Sequence, residues 1–197
     1  MKKRQTSTKN TIRQTFIELL NTKGFENLTV SDIARGSKIN RGTFYLHYLD
    51  KYDLMDQLKA EIINDLKQIM VREEDTPTEP SSALDLIPYH RIVKALYYIK
   101  EDFSFVSALS GKGGYHNFPG LIKEVLKETI QEKMDTLEHF KLSKKGIPEE
   151  YTMEILLAGI TAIILVWIRR GGVETPEEIG QLIEQTKSLS PNDLLTK

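Results

Sequence analysis

The residues best suited to chemistry in this sequence are hydrogen-bond donors concentrated between positions 29 and 51. Hydroxyl, amide, guanidinium, phenol and ammonium groups occur there together, and such groups donate to phosphate oxygens, while an arginine can also pair with guanine O6 and N7. The charge distribution favours the same partner, because residues 1–60 carry 11 of the 27 Lys and Arg but only 6 of the 28 Asp and Glu. A basic N-terminal segment joined to an acidic remainder predicts that the first part alone binds a polyanion.

Enzyme chemistry finds little support in the sequence. There is no cysteine, which excludes disulfides, thiolate metal sites and a cysteine nucleophile. We find no nucleophile elbow, phosphate-binding loop or paired-carboxylate motif, and the pair Gly113-Gly114 is too little for a phosphate site. The spacing of His, Asp and Glu suggests no metal site. We therefore predict that the chain is not an enzyme and that it needs no cofactor.

Three helices are predicted to position the N-terminal donors. Apolar residues recur at helical spacing over Ile12–Leu20, and Lys23-Gly24 is a normal helix end. Thr29 with Asp32 three residues later resembles a capping box and begins a short second helix. Asn40 is a suitable N-cap for a third short helix. Two short helices joined by a tight turn, behind one packing helix, are the parts of a helix-turn-helix.

Four residue strings across these helices carry the most specific signal. They are Leu28-Thr29-Val30-Ser31-Asp32-Ile33-Ala34, Ile39-Asn40-Arg41-Gly42-Thr43-Phe44-Tyr45, His47-Tyr48 and Lys51-Tyr52-Asp53-Leu54. In this order they resemble the N-terminal motif of the TetR/AcrR family of bacterial transcriptional regulators, which reads T-V-x-x-I-A, a turn, G-T-[LF]-Y-x-[HY]-[FY] and K-x-x-L. The resemblance extends from the first helix into the fourth.

This resemblance implies an all-α subunit, and no segment alternates with the period of two that a strand requires. We predict an N-terminal three-helix helix-turn-helix DNA-binding domain over residues 1–50 and a connecting helix over 51–71. A larger helical ligand-binding and dimerisation domain would occupy residues 72–197.

The resemblance also implies a DNA-binding surface of ten residues. Phosphate contacts are expected from Thr43, Tyr45 and Lys51, with His47 on the same surface and with Thr29 and Ser31 at the start of the second helix. Base-edge contacts are expected from Asn40, Arg41, Gly42 and Leu46. Of these, Arg41 is the best single candidate because its fork can read guanine. Phe44, Ile33 and Ala34 are expected in the core instead.

The sequence departs from the family pattern at two places. The turn reads Ser37-Lys38-Ile39, where the family usually has alanine, glycine and a β-branched residue. Since glycine tolerates a left-handed backbone, Lys38 predicts either a strained turn or a slightly different one. Leu46 stands where the family often has an aromatic or polar residue, and its side chain could contact a thymine methyl group.

The remaining sequence predicts further helices behind a linker. The segment Arg72–Ser82 is acidic, contains two prolines and reads as a loop. Three later prolines suit helix starts, namely Pro88, Pro119 and Pro148. The last of these helices is closed by Gly171-Gly172, and Thr175-Pro176-Glu177-Glu178 then combines an N-cap, a first-turn proline and a capping-box glutamate.

The longest uncharged apolar run, Ile155–Ile168, has 14 residues, fewer than the roughly 20 that a membrane-spanning helix needs. It reads as a buried helix, and the basic N-terminus is not followed by the apolar core of a signal peptide. We therefore expect no membrane partner and a cytoplasmic location.

The two helices around 119–141 and 149–170 are predicted to form an isologous four-helix dimer interface, to which the final helix could add. Apolar surface on both helices must be covered. Small residues at 158–162 also allow a close approach of helix axes. The expected assembly is therefore a homodimer.

A small apolar or aromatic effector is expected in the larger domain. Residues that could line its site are Tyr97, Tyr98, Phe103, Phe105, Leu109, Tyr115, Phe118, Met134, Met153 and Trp167, with His90, Arg91 and His116 as possible polar contacts. The same residues could equally form an ordinary core.

Two functions are consistent with these features. The first is a repressor that the effector releases from double-stranded operator DNA. The second is a DNA-binding regulator without a small-molecule inducer, controlled by a protein partner or constitutive. A filled core in the larger domain would favour the second.

Overall fold

A computed structural model describes residues 7–71, 86–111, 117–135 and 146–186. All regular structure in these ranges is helical, as the sequence predicts, and no strand occurs in them. In chain order the helices are α1 (Ser7–Lys23), α2 (Val30–Gly36), α3 (Arg41–Tyr45), α4 (Lys51–Val71), α5 (Tyr89–Glu101), α6 (Phe103–Ser110), α7 (Phe118–Asp135), α8 (Glu149–Arg169) and α9 (Pro176–Gln185). The predicted loop at Arg72–Ser82 lies outside the described residues.

The chain divides into two compact units. One contains the described residues of Met1–Ile62 together with those of Ser104–Phe118, and the other contains those of Ile63–Phe103 and Pro119–Lys197. Helix α4 therefore passes from the first unit to the second, and most of α6 belongs with the N-terminal helices. The predicted domain boundaries after residues 50 and 71 remain predictions.

The first unit is built on apolar side chains at helical spacing on α1, α2, α3, α4 and α6. Its fully buried members include Phe16, Ile33, Phe44, Leu54 and Phe105. The Arg13 guanidinium lies 5.5 Å from the centroid of the Phe105 ring, which joins α1 to α6. Burial of such side chains stabilises a fold by about 1.5–3 kcal/mol each, so this small core can support the short helices α2 and α3.

The second unit contains a close approach of α5 and α9. A Cβ atom at Gly180 would lie 2.8 Å from Cγ2 of Val93 and 3.0 Å from the Tyr89 ring, so only glycine fits there without a shift. Helix α9 begins as the sequence predicts, with Pro176 in its first turn and a reciprocal capping box between Thr175 and Glu178.

The end of α8 explains the glycine pair of the sequence. Gly171 and Gly172 have φ angles of 84° and 64°, in the left-handed region that glycine favours. The Gly172 amide donates to the Trp167 carbonyl at 3.0 Å, and a Cβ atom at Gly172 would lie 2.6 Å from the Phe103 ring. The indole of Trp167 meets Phe103 edge-on at 6.1 Å between ring centroids and donates to the Glu174 carbonyl at 3.0 Å.

Three helix starts differ slightly from the sequence prediction. Pro88 and Pro148 precede α5 and α8 as N-cap residues and are not their first helical residues, while α7 begins at Phe118, one residue before Pro119. An extended backbone before the first helical residue accommodates a proline equally well, because its missing N–H would have had no intrahelical partner. The predicted continuation of α7 beyond Asp135 lies outside the described residues.

Helix α8 has one buried and one exposed face. Met153, Leu157, Ile160, Ile164 and Trp167 are buried, whereas Tyr151, Ile155 and Val166 are 65%, 66% and 44% exposed. By length and composition α8 could also cross a membrane, a test that the core helix of a soluble protein passes equally well. Burial along one face is the pattern of a helix packed against its own chain.

Candidate nucleic-acid interface

Helix α3 begins at a side-chain cap. Oδ1 of Asn40 accepts from the backbone N–H of Thr43 at 2.8 Å and from the Thr43 hydroxyl at 3.1 Å. This confirms Asn40 as the predicted N-cap and occupies both its carbonyl oxygen and the Thr43 hydroxyl proton. Asn40 is exposed, and its Oδ1 would lie 3.2 Å from a Cβ atom at Gly42.

The opposite side of α3 is held by one aromatic side chain. Phe44 is fully buried, and its ring lies 5.6 Å from both the Tyr45 and the Tyr48 ring, measured between centroids. Phe44 points into the core, Thr43 is half-buried, and the other residues of this short helix are exposed. We call the exposed residues Asn40, Arg41, Gly42, Tyr45 and Leu46 the recognition face.

Two residues of the recognition face form a pair. Nη2 of Arg41 donates to the Tyr45 hydroxyl at 3.2 Å, and the guanidinium carbon lies 5.9 Å from the Tyr45 ring centroid. One bond at one end of the guanidinium leaves its fork able to make a bidentate contact. The pairing holds the long Arg41 side chain along the helix.

The recognition face also carries an apolar projection. Leu46, the C-cap residue of α3, is 82% exposed, and its backbone N–H donates to the Gly42 carbonyl at 3.1 Å. Leu49 in the next turn is 81% exposed. Its backbone N–H donates to Oδ2 of Asp53 at 2.8 Å, which fixes the turn and lowers the pKa of the Asp53 carboxyl.

Helix α2 begins at the predicted capping box. The Asp32 N–H donates to Oγ1 of Thr29 at 3.2 Å, while the Thr29 N–H and hydroxyl donate to Oδ2 of Asp32 at 3.1 and 2.8 Å. The Thr29 hydroxyl is thus engaged within the protein, and Ser31 next to it is exposed. Phosphate contact from either residue stays a prediction.

Asp32 also receives two cations. Nζ of Lys23, at the end of α1, lies 2.9 Å from Oδ1 of Asp32, and the Arg35 guanidinium binds the same oxygen. The hydrogen bond from Lys23, assisted by that from Thr29, lowers the pKa of Asp32 to about 2. The carboxylate is therefore charged at any ordinary pH and ties α1 to α2.

The turn between α2 and α3 contains the strained residue that the sequence suggested. Lys38 has a φ angle of 55°, in the left-handed region that a side chain disfavours. The turn is closed by the Ile39 N–H donating to the Ala34 carbonyl at 3.0 Å. Of the two alternatives given in the sequence analysis, the structure thus has the strained turn.

Lys51 occupies an unexpected position for a phosphate contact. Its Nζ lies 3.0 Å from the carbonyl oxygen of Phe25 and 3.1 Å from those of Glu26 and Leu28. The ammonium group has three protons, and three carbonyls receive them. His47 is half-buried, with its ring 6.3 Å from that of Tyr48. For both residues, contact with phosphate stays a prediction.

The residues predicted to line an effector site are divided between the two units. Phe105, Leu109 and Phe118 are buried in the first unit, and the others that the structure describes belong to the second. Within the second unit, Phe103 and Trp167 contact each other, and Met134 and Met153 are buried. Tyr115, with His116, lies outside the described residues.

The two neighbouring tyrosines of α5 are engaged by acids of the second unit. The Tyr98 hydroxyl donates to Oδ2 of Asp65 at 2.8 Å. Tyr97 is 47% exposed, and its hydroxyl donates to Oε1 of Glu177 at 2.7 Å, a bond that raises the pKa of the phenol. Tyr97 therefore lies on the surface of the unit.

Sequence profiles of two regulator families match the chain. The profile described as "Bacterial regulatory proteins, tetR family" matches residues 12–58, which include α2 and α3. The profile described as "Transcriptional regulator C-terminal region" matches residues 88–187, half of the chain. The chain belongs to the TetR family of transcriptional regulators. This is a family of regulators and not of enzymes, as the residue patterns predict.

Relatives of this TetR-family chain include the HTH-type transcriptional regulator YxbF of Bacillus subtilis (strain 168), which is 23% identical over 173 residues. The match covers 87% of this chain and 42% of YxbF, so the chain spans less than half the length of that relative.

Two solved structures share the fold of this TetR-family chain. A TetR transcriptional regulator from Streptococcus agalactiae 2603V has a TM-score of 0.64 at 20% identity, covering 91% of this chain and 92% of its own. The regulator FadR from Bacillus subtilis, solved in complex with stearoyl-CoA, has a TM-score of 0.55 at 18% identity, covering 91% and 97%.

Sequence reasoning missed three features of this TetR-type head. It did not pair Lys23 with Asp32, did not place Phe25 and Tyr52 beside Lys51, and did not single out Leu49. Only the last had a local signal, as an apolar residue between two polar helix ends. Lys23 and Asp32 are nine positions apart, and Phe25 is far from both Lys51 and Tyr52 along the chain, so local spacing does not report these contacts.

Proposed function

We propose that this chain represses transcription by binding a pseudo-palindromic operator as a homodimer and that a small apolar or aromatic effector releases it. The observation that carries the DNA-binding part is the recognition face. Arg41, Tyr45 and Leu46 project from a helix that Phe44 anchors in the core. In a helix-turn-helix, the second helix enters the major groove and presents such side chains to base edges.

In this proposal the recognition face supplies both kinds of base contact. The free part of the Arg41 fork binds guanine O6 and N7, and Leu46 packs against a thymine methyl group. Gly42 lets the helix backbone approach the bases closely, since no side chain intervenes. Ser31, Tyr45 and His47 donate to the flanking phosphates, which set the register of the head on the duplex. The Thr43 hydroxyl is left out of this set because it already donates to Oδ1 of Asn40.

The exposed face of α8 supports the homodimer. Tyr151, Ile155 and Val166 follow each other at helical spacing and are exposed, and Ala158, Gly159 and Ala162 between them are exposed as well. Leu182 of the neighbouring α9 is 46% exposed. This apolar stripe has small residues at its centre. If it packed against the same stripe of a second copy, α8 and α9 of both chains would form an isologous four-helix interface.

This interface differs from the pair of helices predicted from sequence. The large apolar residues of α7 that the structure describes are already buried in the chain's own core, Ile130 and Val125 among them. Helix α7 therefore has little apolar surface left to cover. We assign the dimer contact to α8 and α9 for this reason.

One polar atom of the second unit supports an effector site. Among the described residues, Oγ1 of Thr161 is buried on the apolar face of α8 without a hydrogen-bond partner. An unsatisfied buried hydroxyl costs about 1–3 kcal/mol, and a ligand or water that binds it would recover that energy. The stearoyl-CoA in the FadR structure illustrates a ligand with an apolar acyl chain in a protein of this fold.

The alternative is a regulator without a small-molecule inducer. The engagement of Trp167 favours it, because its indole N–H already donates to the Glu174 carbonyl and its ring is fully buried against Phe103. A second unit whose core is filled in this way would transmit no ligand signal, and the regulator would be controlled by a protein partner or be constitutive.

The experiment that separates these functions starts with selection of duplexes from a random pool by the purified chain. A selected site with two-fold symmetry, bound by two chains in sedimentation, is the expected result. Apolar and aromatic compounds are then screened by the fluorescence of Trp167, the sole tryptophan. A hit should lower operator affinity about 5- to 150-fold, the range of a typical coupling free energy of about 1–3 kcal/mol. Hits that bind without changing operator affinity would favour the alternative.

A further inference from the structure

The α1–α2 connection encloses the end of a lysine side chain. We call the backbone carbonyl oxygens of Phe25, Glu26 and Leu28 the carbonyl cradle, and all three lie 3.0–3.1 Å from Nζ of Lys51. Lys51 is the first residue of α4, so this contact joins the start of α4 to a segment more than 20 residues earlier. Hydrogen bonds from a charged donor are roughly twice as strong as neutral ones.

Aromatic rings complete the surroundings of the ammonium group. Nζ of Lys51 lies 4.9 Å from the centroid of the Phe25 ring and 5.4 Å from that of the Tyr52 ring. The two rings meet edge-on, with 5.2 Å between centroids. Both distances from Nζ to a ring centroid are within the range in which a cation is attracted to a ring. The positive charge is therefore compensated by carbonyl dipoles and by ring electrons inside the protein.

Both ends of the cradle segment are also fixed. At its start, the Gly24 N–H donates to the Leu20 carbonyl at 3.1 Å. At its end, Thr29 is held by the capping box with Asp32, which Lys23 binds from the other side. In the middle of the segment, the Asn27 side chain donates to the Lys23 carbonyl at 3.1 Å, and Lys51 ties the segment to the start of α4.

We propose that Lys51 is a positioning residue of the DNA-binding head and not a phosphate contact. By filling the carbonyl cradle it sets α2, and with it α3, relative to α4. Contact with a phosphate would withdraw protons from carbonyls that the fold has arranged around them. The predicted effect of Lys51 on operator affinity rests on the proposed function. The predicted effect of Lys51 on the position of α2 does not, because it concerns the free protein.

Three variants separate the two roles. Lys51→Met removes the charge and keeps most of the stem. Lys51→Arg keeps the charge and could still bind phosphate, but a planar guanidinium cannot direct three protons from one nitrogen at three converging carbonyls. Lys59→Met is the matched control, because Lys59 lies two helical turns further along α4, where its ammonium pairs with Asp56 at 2.6 Å.

The first measurement is amide hydrogen exchange of the free protein at Gly24 and Thr29, whose N–H groups flank the cradle segment. We expect both Lys51 variants to speed exchange about tenfold or more, since a charged hydrogen bond is worth at least a factor of ten. Lys59→Met should leave it unchanged. Unchanged exchange in both Lys51 variants would overturn the proposal. If Lys51→Met fails to fold, the exchange rates of Lys51→Arg and the wild-type chain are compared instead, and unchanged rates in Lys51→Arg would overturn the proposal.

The second measurement is affinity for a selected operator as a function of salt. A positioning role predicts that both Lys51 variants weaken binding about tenfold or more with an unchanged salt slope. A phosphate contact predicts the opposite, with Lys51→Arg close to wild type and Lys51→Met lowering the slope by about 1 per half-site. If the wild-type chain bound no duplex at all, the proposed function would fail, while the exchange experiment would still test the cradle.

Discussion

Nζ of Lys23 at the end of α1 lies 2.9 Å from Oδ1 of Asp32 in the first turn of α2, and this ion pair closes the loop that holds the carbonyl cradle. Asp32 at the same time caps α2 through Thr29. One carboxylate thus organises both the entry into the helix-turn-helix and the junction with the preceding helix.

The first prediction concerns the pH dependence of this carboxylate. The pKa of Asp32 is about 2 in the folded chain, below its ordinary value of 3.8. Asp32 therefore stabilises the fold above pH 3.8, and this contribution is lost as the pH falls from there towards 2. Asp32→Asn should be less stable than wild type near neutral pH, and the difference should shrink over that acidic range.

Thermal unfolding followed by circular dichroism tests this. Lys23→Met should show the same convergence with wild type, because it removes the first cause of the pKa shift. A stability difference between Asp32→Asn and wild type that stays constant down to pH 2 would contradict the assignment.

The second prediction concerns the strained turn at Lys38. A left-handed backbone costs a residue with a side chain about 1–2 kcal/mol, while glycine loses about 0.5–1 kcal/mol more conformational entropy on folding. Lys38→Gly should therefore stabilise the chain by about 0.5–1 kcal/mol in urea unfolding, with an unchanged m value. Lys38→Ala keeps the strain and should bring no such gain. An equal gain in both variants would assign the effect to the lysine side chain.

The third prediction concerns base reading by Arg41. Arg41→Ala should cost about 1–3 kcal/mol per half-site on the selected operator and relax the preference at one base pair. Arg35→Ala is the charge-matched control, because Arg35 is exposed on α2 and binds Asp32. The control should reduce specific and random binding alike. The same uniform loss in Arg41→Ala, measured by fluorescence anisotropy on both kinds of duplex, would remove it from base reading.

The fourth prediction concerns the exposed Leu46. If its side chain covers a thymine methyl group, replacing that thymine by uracil should weaken wild-type binding by about 0.8 kcal/mol per half-site, the value of one buried methylene-sized group. Leu46→Ala should bind the thymine and uracil operators equally. A uracil effect of the same size in both proteins would show that another residue makes the contact.

The fifth prediction concerns the exposed stripe of α8. Ile155→Glu places two unpaired charges in the proposed two-fold interface and should weaken dimerisation about 100-fold or more. Leu49→Glu makes a similar change at an exposed leucine of the first unit and should leave the dimer intact. Sedimentation equilibrium of both variants distinguishes them. A dimer that Ile155→Glu does not weaken would move the interface away from α8.

Local spacing was enough to predict much of this molecule. The N-caps at Thr29, Asn40 and Thr175 were visible in the sequence, because a cap depends on residues within three or four positions. The resemblance to the family gave a strained turn at Lys38 as one of two alternatives, and the structure shows that one. The burial of Phe44 also follows from helical spacing. These features are set by short-range sterics and hydrogen bonding, which neighbouring residue types report directly.

Contacts between distant residues were decided by the tertiary structure. The spacing of Lys51 gave no indication that its ammonium meets carbonyls more than 20 residues earlier. The sequence also did not show that the described residues of Ser104–Phe118 belong to the same unit as the N-terminal helices. The sequence likewise predicted dimer contacts on both α7 and α8, but the large apolar residues of α7 that the structure describes are buried in their own chain, whereas α8 has a second, exposed face that carries Tyr151, Ile155 and Val166. An apolar helix face must be covered, but its residue pattern is the same whether its own chain or a second copy covers it.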